Sequence, residues 1–151
     1  MDRFLVYQVN PDDVADKVGD PNQLLPRLFH DGGGMKRFVT DPLLRFRAGH
    51  TKLSKGQGFD TFFWYDEFWV GRAGRGEAIV TDRATGEVAT YQLGPKDTVY
   101  IARGCHIKGR GVSDEPWLFF YVAIPASKLD ASYLAHMTQQ DIEDVRKREE
   151  Y

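Results

Sequence analysis

The chain has 151 residues, a formal net charge of −2 and one cysteine. That length fits one domain whose core needs no covalent staple. The near-neutral balance offers no basic excess for a nucleic-acid partner, and the lone Cys105 excludes an internal disulfide, which is compatible with a cytoplasmic location.

The N-terminal stretch MDRFLVYQVNPDD has a short apolar run closely followed by acids. It reads as neither a signal peptide nor a membrane span, and no stretch elsewhere approaches the ~20 apolar residues that a spanning helix needs. From Pro11 to Gly34 the chain is rich in Pro, Gly and Asp, with a helical turn expected at Gln23–Leu28 and a loop at Gly32-Gly33-Gly34. No lysine and hydroxyl follow that glycine run as a phosphate-binding loop would require.

From Met35 onward the pattern is one strand after another. Strands are expected at Met35–Val39, Leu44–Leu53, Thr61–Trp64, Glu67–Arg72, Glu77–Asp82, Glu87–Leu93, Thr98–Ile101, His106–Lys108 and Trp117–Ala123. Turn residues separate them, among them Thr40-Asp41-Pro42, Ala73-Gly74-Arg75-Gly76 and Gly94-Pro95-Lys96-Asp97. Short strands at this spacing predict an all-β sandwich or barrel. His30 and His136 fall in expected loops. After Ser127 the character changes. Thr138 followed by Asp141 resembles a helix N-cap with its partner acid, which predicts a surface helix over Gln139–Glu149 with a thin apolar face of Ile142 and Val145. The organisation read from these signals is an N-terminal extension over 1–34, a barrel over 35–126 and a helical C-terminal extension over 127–151.

Two segments resemble the paired signatures of the cupin superfamily. The first, Gly58 to Val80, carries an acid, Glu67, at the start of a strand that ends at a glycine turn, Gly74. The second, LGPKDTVYIARGCHIKG from Leu93 to Gly109, resembles the family's glycine-aspartate, hydrophobic strand, glycine, histidine pattern. Within the superfamily the resemblance is to EutQ-like ethanolamine-utilisation cupins, through Tyr65-Asp66-Glu67 and the aromatic run Leu118-Phe119-Phe120-Tyr121-Val122. The resemblance implies a single-domain jelly-roll barrel, a double-stranded β-helix, with a short C-terminal helix. The tight reversals it needs, at Gly94–Asp97 and at Gly104, suit glycine at positive φ.

Typical cupins bind Fe, Mn, Ni or Zn through His-x-His, a glutamate and a later histidine. Here Asp60 and Phe62 align with the early histidines and Glu67 with the glutamate. His106 is the nearest later histidine, although strict spacing from Gly104 puts Ile107 at that position. The expectation is therefore that the usual site is lost and that no cofactor is needed. The alternative metal set is Asp60, Glu67 and His106, with His50 from a neighbouring strand.

Without a metal, the barrel interior suits acid/base chemistry. Glu67 would be the acid/base, with Asp60 and His106 as helpers and Arg45 and Arg47 as a clamp for a carboxylate or phosphate. His50, Phe62, Trp69 and Tyr121 would complete the substrate wall. Cys105 is set aside as a nucleophile, because adjacent strand residues point to opposite faces. Of Phe62, Phe63, Trp64 and Trp69, two should face the core and two should face outward, where they would form a homodimer interface. The function expected is a small enzyme of lyase or isomerase type acting on a small anionic or aromatic molecule, with no nucleic-acid or membrane partner. The alternatives are a metal-dependent dioxygenase or lyase, and a non-catalytic metabolite-binding protein.

Overall fold

The computed structural model describes residues 29–30, 34–40, 47–124 and 137–143. The expected turn at Gln23–Leu28, Gly32 and Gly33, the segment Leu44–Phe46 with Arg45, His136 and the helix beyond residue 143 lie outside the described residues.

Among the described residues ten strands follow one another: β1 (Phe29–His30), β2 (Gly34–Thr40), β3 (Arg47–Leu53), β4 (Gly58–Phe63), β5 (Asp66–Ala73), β6 (Gly76–Asp82), β7 (Val88–Leu93), β8 (Thr98–Ile101), β9 (Cys105–Gly111) and β10 (Trp117–Ile124). They form two five-stranded sheets, ordered β1-β4-β9-β6-β7 and β2-β3-β10-β5-β8. Every paired strand in both sheets is antiparallel. Pairing begins at Phe29, so His30 is a strand residue rather than the loop residue expected from sequence.

Alternation along each strand decides what goes between the sheets. On β9, Ile107 is fully buried and Gly109 is buried, whereas Lys108 and Arg110 between and beyond them are exposed. On β5 the same alternation buries Glu67 and Trp69 and exposes Phe68 and Val70. The core between the sheets is strongly aromatic. Trp69 from one sheet meets Phe59 and Phe63 from the other, at ring-centroid separations of 5.8 and 6.1 Å. Behind it stack Phe119 and Trp117 of β10. Each such side chain contributes about 1.5–3 kcal/mol through burial.

Glycine is needed at positions 109 and 104. Gly109 faces Phe59 in register, and a side chain there would run into the Phe59 ring. Gly104 has φ 96° and its N–H donates to the Phe63 carbonyl at 2.7 Å, which starts β9 beside β4. The other expected reversal differs in detail. Between β7 and β8 the left-handed residue is Lys96, with φ 74°, while the Gly94 N–H is capped by Asp97 Oδ2 at 2.7 Å. The Asp97 side chain closes the turn, so glycine is not needed at its strained position.

The C-terminal signal is present as read. Residues 139–143 are helical. Asp141 N–H donates to Thr138 Oγ1 at 3.1 Å and Thr138 N–H donates to Asp141 Oδ2 at 2.9 Å, a reciprocal capping box.

Candidate functional site

Of the expected catalytic residues, Glu67 alone faces the space between the sheets. It shares the inner face of β5 with Trp69, two residues on, and its Oε1 accepts a hydrogen bond from Trp69 Nε1 at 2.5 Å. Across the sheet Glu67 pairs with Ile101 on one side and Ala123 on the other. Ala123 in turn pairs with Arg47. Register thus places Arg47 two strands from Glu67 in one cross-strand row, separated by the small Ala123. Tyr121, buried, pairs with Trp69 on the same face.

Asp60 and His106 are elsewhere. On β4 and β9, Thr61 pairs with the fully buried Ile107, and Phe63 pairs with Cys105. Those four residues face inward, so Asp60, Phe62, His106 and Lys108 occupy the opposite, outer face of their sheet. The expectation that Glu67, Asp60 and His106 meet in one lumen is therefore corrected. A two-residue bend at Trp64–Tyr65 carries the chain from one sheet to the other, and the parity of positions does not survive it.

The outer residues form a compact ionic cluster. His106 Nε2 lies 2.7 Å from Asp60 Oδ1 and 4.0 Å from Asp141 Oδ1. Lys108 reaches Asp60 at 3.4 Å, and Arg83 Nη2 reaches Asp141 at 3.0 Å. Burial pushes the His106 imidazole below its usual pKa. Arg83 and Lys108 add to that and the two aspartates oppose it, with the net shift downward.

His50 also leaves the expected site. It pairs with Phe120 and Lys36, on the face of β3 opposite Thr51 and Leu53, and its ring meets Phe120 edge-on at 5.5 Å. Burial, and then the charge of Arg72, lower its pKa. Phe62 faces outward yet is 1% exposed, and Trp64 is buried too, so neither is available as the expected dimer surface. Among the described residues the exposed aromatics are Phe68, Tyr91 and Tyr100.

Among the described residues the interior opens beside β7 and β8. A cavity of about 570 Å³ lies between the last strand of each sheet, β7 and β8, and the strands behind them. Trp69, Leu93, Val99, Ile101 and Ile107 give it apolar walls. Gln92, Asp97 and Thr98 bring polar atoms, and Cys105 lines it beside Ile107. Burial, and secondarily Asp82, raise the Cys105 pKa, which keeps the thiol protonated. Of these, the sequence marks Trp69 as a wall residue and Ile107 by its spacing from Gly104, and it raises Cys105 only as a nucleophile to set aside. Val99 and Leu93 carry no signal beyond their places on expected strands.

No protein-family model matches the sequence, and no curated relative does. Solved structures do match. A cupin-2 conserved barrel protein from Salinispora arenicola superposes over 95% of this chain and 98% of its own, at TM-score 0.56 and 14% identity. The fold is that of the cupin superfamily. The EutQ protein of Clostridium difficile is similar over 81% of this chain and 83% of its own, at TM-score 0.52 and 24% identity. So is the cupin-2 domain of an XRE-family transcriptional regulator from Enterobacter cloacae, over 62% of this chain and 97% of its own, at TM-score 0.50 and 22% identity. These likenesses concern the fold.

In this chain the residues that face inward do not fit a divalent metal held in the manner of typical cupins. The inner positions on β4 include Thr61 and Phe63, and those on β9 include Cys105 and Ile107, where the one thiol is kept protonated by burial. Phe63 and Ile107 have no donor atom. The non-standard set of Asp60, Glu67, His106 and His50 fails for a different reason. Glu67 faces inward, Asp60 and His106 lie on the outside of the other sheet, and His50 lies on the outside of its own. Among the described residues no cluster of three or more His, Cys, Asp or Glu side chains is arranged to hold an ion.

Proposed function

We propose that this cupin binds a small, largely apolar or aromatic molecule in the cavity between β7 and β8, and that it does so without an interior metal. The observation that carries this reading is the cavity itself. Its volume lies within the range of about 300–1,000 Å³ usual for small-molecule sites, and its walls combine an indole, aliphatic side chains and a few polar atoms. An aromatic ring would stack on or abut Trp69, with Tyr91, the cross-strand partner of inward-facing Ala78, at the mouth.

Titration of isotope-labelled protein with 2-naphthol tests it. Resonances of Val99, Ile107 and the Trp69 indole should shift together, with a Kd below about 1 mM. No shift at several times that concentration rejects the reading. A parallel titration with 2-naphthoate asks whether the guest is anionic, as a clamp role for Arg47 requires. Tighter binding of the carboxylate supports that role.

A second reading is favoured by Glu67, a carboxyl buried on the inner face with Arg47 in its cross-strand row. There the protein is a lyase or isomerase and Glu67 its acid/base. Turnover of a bound guest that disappears in Glu67→Gln, with binding retained, would be its signature.

A further inference from the structure

We propose that Glu67 is the positioning residue of this pocket: its carboxyl oxygen holds the Trp69 indole in the one orientation that makes it the wall between the cavity and the aromatic core. The inference rests on the binding reading above and says how that site keeps its shape.

Trp69 is 2% exposed and Glu67 is 6% exposed, so both ends of their hydrogen bond are out of water. A buried indole N–H needs an acceptor, and an unmade bond there is costly. Glu67 supplies that acceptor from the same strand and the same face, two residues away. Of the orientations open to the indole, the satisfied one points Nε1 toward Glu67 and sets the ring against Phe119, with centroids 4.6 Å apart.

The space around the ring shows what this fixes. The main cavity and a much smaller void behind it share Trp69, Leu93, Asp97 and Val99 as lining. The void is also bounded by Gly71, Trp117 and Phe119, so the indole stands between the two spaces as a partition. The void behind the indole holds only about 10 Å³, so an indole released from Glu67 has room to turn toward the main cavity, and such a turn would change the depth and the chemistry of the cavity wall.

Nuclear magnetic resonance of labelled protein reads this directly, with the Trp69 indole N–H assigned by its loss in Trp69→Phe. In the wild type the indole should be slow to exchange with solvent and should show contacts to the methyl groups of Val99 and Ile107. Glu67→Gln keeps a carbonyl acceptor and should keep both signatures, with 2-naphthol affinity within about threefold of the wild type. Glu67→Leu should lose the methyl contacts and weaken both indole protection and naphthol affinity by about tenfold or more.

Retention of the contacts and the protection in Glu67→Leu overturns the proposal. So does a Glu67→Gln protein that behaves like Glu67→Leu, since the acceptor alone would then not suffice. If Glu67→Leu does not fold, Glu67→Asp, whose carboxyl is withdrawn by one methylene, takes its place with the same expected losses. A wild type that ignores 2-naphthol rejects the binding reading, while the indole contacts still judge the role of Glu67.

Discussion

The two faces of the β4–β9 ribbon carry opposite chemistry from interleaved residues. Inward go Thr61, Phe63, Cys105 and Ile107, a nearly apolar set against which Trp69 packs. Outward go Asp60, His106 and Lys108, joined by Arg83 and Asp141 into a network of charges. Both expected catalytic helpers on these two strands, Asp60 and His106, lie on the outer face. The inner face is built to exclude water. The contrast teaches that in a two-sheet fold a reactive residue type says little until its face is known.

The sharpest way to break this comparison is to change neighbours. Ile107→Ala empties a fully buried site and should cost about 2–5 kcal/mol. His106→Ala, one residue away, should cost about 1 kcal/mol, the loss of a hydrogen-bonded contact at a partly covered site. Urea denaturation of the two variants checks this, and equal losses would refute the division of faces.

Asp141→Ala comes next. It removes the reciprocal cap with Thr138 and the Arg83 pair together, and should cost about 1–3 kcal/mol. Because the change is on the outer side, 2-naphthol affinity should not move. A weakened affinity would show that the two faces communicate.

Acidification is a smaller lever. The folded chain holds His50 and His106 below the usual value of 6.5, so the unfolded chain takes up protons first. Stability should therefore be full above pH 6.5 and decline as pH falls from there toward the lower native pKa values. Melting temperatures between pH 8 and pH 5 would show the decline, and His106→Gln should flatten part of it. At the foot of the scale, Lys55→Ala breaks an exposed pair with Asp114 and should leave the melting temperature unchanged.

Much of the fold is legible in the sequence because strand signals are local. Thr98–Ile101 stands end for end where its hydrophobic run predicts, bracketed by a Pro-containing turn and Gly104. The Thr138–Asp141 cap is a two-residue chemical signature and was equally readable. The site was not. Asp60 and Glu67 are seven positions apart with a bend between them, and their faces follow from which sheet each strand joins, a long-range fact. Phe62 shows the same limit, since it points away from the core between the sheets and is still buried. The short β1 is invisible for another reason: two residues carry no periodicity, and Phe29 gains its place from pairing with Phe59.

Arg103 joins this picture from the loop beneath the cavity. Its guanidinium and backbone N–H grip the Asp66 carboxyl at 2.7–3.2 Å, and the guanidinium holds that carboxyl below the usual range. Ala102, the preceding residue, forms part of the cavity lining. A lining segment of the cavity is thus fastened by an ion pair whose side chains are only 35% and 21% exposed. Dissolved electrolyte screens so covered a pair weakly, so this anchorage should hold across ordinary changes of ionic strength.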